Sequence, residues 1–323
     1  MINIKIFNWF ITRRCNLSCD YCRITKNYKY MPLSYPSIEE YYKNEMALDY
    51  IINCLEKIKN LFPNSFHIFY GGEPFIRDDI IEIISFCNKN NINYTIITNN
   101  SNGVQKNIES VLKKEYILSL TIFSDIQGKK SEEGLKNVLK NRKRIKEISA
   151  EIVVRKENIN FLEEIIELNT KHEILSDITF LDVSKTRFYD FSDVVENSSL
   201  IFPSREVFLL LDKIFKRNDL MILYKNPVFL ENLKKILPSR MDCNINDLFN
   251  ISIDSDGKIR LCNRIRGVFS PKISILNLLK DQNFNVLLDN SKSDKDLLCK
   301  KCNWTCMIMS ETQKIENIIV KGE

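Results

Sequence analysis

The chain has 323 residues, 44% of them apolar and 28% charged, with a formal net charge of +5. This composition can fill one large domain plus a small one, or two ordinary domains, and it excludes a disordered tail, a collagen-like fibre and a small disulfide scaffold. The mild, evenly spread positive charge makes no case for nucleic acid, no apolar run approaches the ~18 residues of a membrane span, and the N-terminus lacks the basic-then-apolar order of a signal peptide.

Apolar runs and helical patterns alternate over the first 185 residues. The predicted strands are Lys5–Thr12, Ser65–Tyr70, Asn93–Thr98, Tyr116–Ile122, Glu151–Arg155 and Asp177–Val183. Runs such as Tyr94–Ile97 are apolar almost throughout, which suits strands covered on both faces. Between them, Leu48, Ile51, Ile52, Leu55 and Ile58 recur at helical spacing. So do Ile80, Ile83, Ile84 and Cys87, and further on Phe161, Ile165, Ile166 and Leu168. Strand–helix alternation predicts an α/β fold of parallel units. Six units are fewer than the eight of a closed barrel, so a partial (β/α)6 barrel or an open sheet fits.

Later in the chain, residues 191–240 read as a helical connection, with Phe208, Leu211 and Ile214 on one face. Ile251–Leu261 reads as a β-hairpin turning at Asp256–Gly257. A short helix is predicted over Ile275–Leu288. The expected division is 1–190 for the barrel, 191–240 for the connection, and 241–323 for a small cysteine-rich α+β unit.

There are ten cysteines. Without an export signal the chain is expected in the reducing cytoplasm, where such a set points to metal or redox chemistry rather than disulfides. Cys15-x3-Cys19-x2-Cys22 follows directly on the first strand. Thiolates are the ligands of iron–sulfur clusters. Three of them bind three irons of a cubane and leave the fourth open, as a catalytic zinc keeps one open position. A structural zinc site borrowing a distant fourth ligand is the alternative. The two histidines, His67 and His172, fall in predicted regular structure and read as packed or surface groups. Cys54 and Cys87 fall on or beside apolar helix faces and read as core.

The triplet Cys15, Cys19, Cys22, with Tyr21 before its third cysteine, resembles the signature of the radical S-adenosylmethionine (SAM) superfamily. A second match, Gly71-Gly72-Glu73-Pro74, follows the second predicted strand. Glycines there permit close backbone approach to a ligand, and an acidic side chain with exposed carbonyls suits an ammonium group. The resemblance covers roughly residues 4–185. It implies a 4Fe-4S cluster on the triplet and SAM chelated at the open iron. It further implies reductive cleavage to a 5′-deoxyadenosyl radical that abstracts hydrogen from a substrate. A one-electron donor such as flavodoxin or ferredoxin is implied as partner. Thr98 and Asn99 sit where the family has Thr-Asn-Gly, with Asn100 in place of that glycine. Ser124 falls where a polar SAM contact is common. Val153 and Val154 fall where apolar side chains flank adenine, and Arg155 would bind the SAM carboxylate or the substrate.

The C-terminal cysteines resemble the SPASM/twitch extension of that superfamily. Its pattern implies a second, auxiliary 4Fe-4S cluster on Cys243, Cys262, Cys299 and Cys302, with a zinc ribbon as the alternative. Cys306 would complete the auxiliary site, donate hydrogen from its thiol, or be a small buried residue. Relatives of this type imply a peptide or protein substrate, and a small sugar or amino-alcohol is the second choice. A non-enzymatic metal-binding or electron-transfer module would share the cysteines but has no use for the Gly71–Pro74 motif. Neither nucleic acid nor membrane is expected as a partner.

Overall fold

The computed structural model describes residues 4–19, 39, 43–114, 116, 119–123, 135–137, 139–154, 158–180, 205–222, 250–260, 274–282 and 284. All six predicted strands form: β1 (Ile6–Thr12), β2 (Phe66–Gly71), β3 (Asn93–Thr98), β4 (Ser119–Phe123), β5 (Glu147–Val154) and β6 (Leu175–Phe180). They lie in chain order from one side of the sheet and are mutually parallel. This is the parallel α/β sheet of a partial barrel.

The expected hairpin is also present, as β7 (Asn250–Ile253) and β8 (Ile259–Arg260). Its attachment was not legible in the sequence. Strand β7 pairs in parallel with β1, Ile6 opposite Asn250 and Trp9 opposite Ile253, so the hairpin extends the main sheet to eight strands. Gly257 forms the turn at φ 78°, where a Cβ would also meet the Tyr50 hydroxyl at 2.9 Å.

Three predicted helices cover the sheet, and a fourth was missed. In α1 (Leu48–Leu61) the buried residues Ile51, Cys54, Leu55 and Ile58 form one stripe. Asp49 in the first turn and Lys59 in the last complement the helix dipole. α2 (Ile80–Lys89) buries Ile80, Ile83, Ile84 and Cys87. α3 (Gln105–Lys113) escaped the sequence reading because only Ile108, Val111 and Leu112 turn inward from an otherwise polar segment. α4 (Leu162–Lys171) forms, but its inward stripe is Leu162, Ile165, Ile166 and Asn169. Phe161 precedes the helix and is exposed, as is Leu168, so two of the four predicted face residues point outward.

Further on, α5 (Arg205–Lys216) buries Leu211 and Ile214 against Ile152, Val154 and Ile178 of β5 and β6. α6 is shorter than predicted. It spans Ile275–Asp281, because Gln282 adopts the left-handed conformation (φ 52°) that ends helices. Its Ile275, Leu278 and Leu279 join the same core as α1, and Phe284 meets the ring of Phe62 edge-on at 5.5 Å. Among the described residues, no helix is long and apolar enough to cross a membrane.

Side chains alternate across the strands. One face carries Phe7, Trp9, Phe69, Ile96, Leu120, Ile122, Ala150 and Ile152 against the helices. The opposite face is polar in its middle. A ladder of hydroxyls crosses three strands there, Thr95 to Thr121 at 3.3 Å and Thr121 to Ser149 at 2.9 Å. Glu151 and Asp177 are register partners on the same face, one step beyond Ser149. Burial pushes the Asp177 carboxyl up to about 6.

Candidate functional site

The site is built where the parallel strands end. Beyond β1, residues Arg13 and Arg14 lead into Cys15. Here the two glycines of Gly71–Pro74 do something the sequence reading did not foresee. A Cβ on Gly71 would lie 1.9 Å from the Thr12 carbonyl oxygen, and one on Gly72 would lie 2.0 Å from that of Arg14. Gly71 also takes a φ of 150°. The backbone these glycines must let close is therefore the root of the cysteine loop itself. The Gly72 N–H donates to Thr12 O and the Glu73 N–H to Arg14 O, each at 2.8 Å. Strand pairing thus continues past β1 to the residue before Cys15.

Glu73 is fully buried. Its carboxylate accepts from the Phe75 N–H (3.0 Å), the Thr98 hydroxyl (2.9 Å) and the Asn99 N–H (2.7 Å). Burial pushes this carboxyl up to about 7, against the pull of the three donors. The side chain holds the end of β3 in place, and Thr98, itself buried, spends its hydroxyl on Glu73. Pro74 is buried at the start of a short 3-10 turn. Asn100 does the work of the glycine it replaces, at φ 48°, a left-handed conformation that asparagine tolerates. Its N–H donates to the Thr98 hydroxyl, and Gln105 donates to its carbonyl.

Cys15 and Cys19 are both partly exposed at this edge. The Cys15 Sγ faces two N–H donors, Leu17 N at 3.4 Å and Asn99 Nδ2 at 3.8 Å. That is an arrangement a metal-bound thiolate accepts. Cys54 and Cys87 contrast with it. Both are fully buried, with burial raising the Cys54 thiol to about 12 and the Cys87 thiol further. His67 is core as well. It lies beside Phe7, Trp9 and Phe69, accepts at Nδ1 from the Trp9 indole at 3.0 Å, and is lowered by burial to about 3. His172 caps the end of α4. Cys15 and Cys19, with the donors that face the Cys15 Sγ, suit two ligands of an iron–sulfur cluster.

Of the pair expected to flank adenine, Val154 is turned into the helix-facing core with Leu162 and Ile166. Val153 points to the polar face, as alternation along a strand requires. Tyr21, Cys22, Ser124, Arg155, Cys243, Cys262, Cys299, Cys302 and Cys306 lie outside the described residues.

The structure adds residues that no sequence pattern singles out. The Glu45 carboxylate accepts from the Thr12 hydroxyl (2.7 Å), the Arg13 N–H (3.1 Å) and Arg14 Nε (3.2 Å). Arg13 sends Nε and Nη2 to Asp254 Oδ1, at 3.0 and 2.6 Å. Its guanidinium also lies 4.9 Å from the Phe10 ring. Arg77 donates to Ile11 O and Met46 O and pairs with Asp79. The root of the cysteine loop is therefore tied to residue 45, to the Gly71–Glu73 turn and to the hairpin.

Residues 9–169 match the Radical SAM superfamily. The chain carries a radical SAM domain. Members of that superfamily are enzymes that bind SAM, and the match runs from Trp9 in β1 to Asn169 in the last turn of α4. An uncharacterised protein of Methanocaldococcus jannaschii, MJ0907, is 27% identical over 289 residues, 84% of this chain and 88% of its own length. The GTP 3′,8-cyclase of Aquifex aeolicus is 23% identical over 308 residues, 87% of each chain. Streptococcus suis SuiB, solved bound to SAM, superposes with a TM-score of 0.65 at 14% identity, over 97% of this chain and 75% of SuiB. The structure of anSMEcpe with bound AdoMet gives 0.56 at 14% identity, over 95% of this chain and 84% of that one. At such identities the structural likeness establishes the partial-barrel fold around the radical SAM domain.

Proposed function

We propose that this chain cleaves SAM reductively at a 4Fe-4S cluster held by Cys15, Cys19 and Cys22, and modifies a peptide or protein substrate. The observation that carries the reading is the meeting of three elements at one sheet edge within a radical SAM domain. These are the cysteine loop, the Gly71–Glu73 turn bonded to its root, and the end of β3 bonded to Glu73. When bound, cluster and SAM supply one-electron cleavage of the sulfonium bond and a 5′-deoxyadenosyl radical.

The protein's task is to bind, orient and exclude water. In this reading the carbonyls of Gly71–Pro74 receive the amino group of SAM, and Val153 packs on its adenine. Tyr21, Asn99, Ser124 and Arg155 are the proposed remaining contacts. Thr98 acts indirectly, by holding Glu73. The polar face beyond, with Thr95, Thr121, Ser149, Glu151 and Asp177, lines the substrate side.

The peptide choice is supported by the fold neighbours, since SuiB was solved with its precursor peptide SuiA and anSMEcpe with a peptide. A small-molecule substrate is the second reading, favoured by the GTP 3′,8-cyclase relative, whose likeness spans 87% of both chains. We also assign Cys243, Cys262, Cys299 and Cys302 to an auxiliary 4Fe-4S cluster within residues 241–323, the stretch whose hairpin and α6 join the main sheet and core. Cys306 is assigned as a further ligand or a thiol hydrogen donor. A flavodoxin or ferredoxin in the cytoplasm is the proposed reductant.

Anaerobically reconstituted, reduced protein is expected to convert SAM to 5′-deoxyadenosine, and Cys15, Cys19 and Cys22→Ala together to abolish this. Cleavage that survives the triple substitution overturns the cluster assignment. Iron should be about eight per chain in the wild type and about four in the triple variant. A wild-type value of about four removes the auxiliary cluster. Faster 5′-deoxyadenosine formation with added peptide supports the peptide reading, whereas a response to nucleotides alone favours the second.

A further inference from the structure

Asn99 stands between the two halves of the site, and its geometry is fixed from four directions. Its backbone N–H donates to Glu73 Oε2 at 2.7 Å. Its side-chain Oδ1 accepts from the Ser101 N–H at 3.0 Å. Its Nδ2 donates to Asn16 Oδ1 at 3.0 Å and faces Cys15 Sγ at 3.8 Å. The carboxamide cannot be turned over, because its oxygen would then face the Asn16 oxygen and its nitrogen the Ser101 N–H. Asn16 is in turn held by Ser101 Oγ at 2.8 Å. The amide N–H is therefore pinned toward the first cysteine of the triplet.

We propose that Asn99 is a positioning residue that sets the reduction potential of the cluster bound through Cys15. This inference rests on the functional reading above and goes beyond it, since it gives Asn99 a role toward the sulfur in addition to its contact with SAM. The reason is electrostatic. Reducing a thiolate-ligated cluster places added negative charge partly on its sulfur ligands, and an N–H donor at the sulfur stabilises that charge. The potential rises, and a weaker one-electron donor suffices. The Glu73 carboxylate contributes by fixing the Asn99 backbone, which joins the Gly71–Pro74 turn to the Cys15 sulfur through two side chains.

The test is an EPR-monitored redox titration of the reconstituted full chain, following the signal that changes when SAM is added. Asn99→Asp keeps the shape and the acceptor for Ser101 N–H, but replaces the donor with a negative charge. Asn99→Ala removes the donor, together with the acceptor for the Ser101 N–H, and adds no charge. Both are expected to lower the midpoint potential, Asn99→Asp the more. At a poise that half-reduces the wild-type cluster, the Asp variant should be mostly oxidised. Asn16→Ala removes the acceptor that pins the Asn99 amide but keeps the donor itself, and should lower the potential less than Asn99→Ala does. Unchanged potentials in both Asn99 variants overturn the inference, and so does an Asn16→Ala shift as large as that of Asn99→Ala. A wild-type chain that assembles no cluster sinks the functional reading and this inference together, whereas a cluster of unaltered potential sinks the inference alone.

Discussion

The Arg13–Asp254 pair offers the sharpest energetic test. It joins residues 241 positions apart, with the Arg13 side chain 9% exposed and that of Asp254 1% exposed. In Asp254→Ala the guanidinium stays buried without its counter-charge, two N–H groups lose their acceptor, and so does the Ser255 N–H at 2.9 Å. Breaking one side of a buried pair costs about 3–5 kcal/mol. Replacing both sides with apolar groups of similar volume is often close to neutral. Urea unfolding of cluster-free protein, followed by circular dichroism, is expected to show Asp254→Ala lowered by that amount. The midpoint should fall by about 1 M for a chain of this size. The double variant Arg13→Met with Asp254→Leu should recover most of the loss, and the cycle it closes with the single variants Arg13→Met and Asp254→Leu should give a coupling energy well above 1 kcal/mol. A loss under about 1 kcal/mol in Asp254→Ala would refute the reasoning, since the hairpin would then not be fastened to the cysteine loop by this bond.

The glycine pair supplies another test. Gly71→Ala and Gly72→Ala each drive a methyl into backbone oxygen at about 2 Å. Each should cost about 3 kcal/mol or more, the upper range of overpacking, and should lower the iron retained after reconstitution. Normal stability in either variant would show that the loop root does not press on the turn. His67 governs an acid limit. Its folded pKa of about 3 lies below the ordinary value of 6.5, so the unfolded chain takes up the extra proton. This contribution is fully present above pH 6.5 and is lost as pH falls toward 3, at about 1.4 kcal/mol per pH unit. His67→Gln should flatten that slope in urea titrations between pH 6 and 4. An identical slope in both proteins would mean that His67 is not the group responsible.

Much of the fold was legible because its signals are local. The six strands follow from short apolar runs between helical stripes, and Gly257 marks its turn by the positive φ that a tight hairpin needs. The stripes of α1 and α2 name their own buried residues, Cys54 and Cys87 included. α3 was lost because three apolar residues in a polar stretch are too few to announce a period. α4 was found with its face partly wrong, since Phe161 falls before the first turn. Between Val153 and Val154, one step along a strand decides which side chain enters the helix-facing core and which the opposite face, and both side chains are the same.

By itself, the sequence determined the parallel α/β architecture and brought out the two motifs of the site, the cysteine triplet and Gly71–Pro74. Only the tertiary structure decided what those motifs touch. It placed the cysteine-loop root against the two glycines and turned Glu73 onto Thr98 and Asn99. It also seated β7 beside β1 and closed Arg13 on Asp254. The physical reason is range. Periodicity and turn chemistry act over a few residues, whereas a buried charge or a donor aimed at sulfur takes its partner from wherever packing brings one.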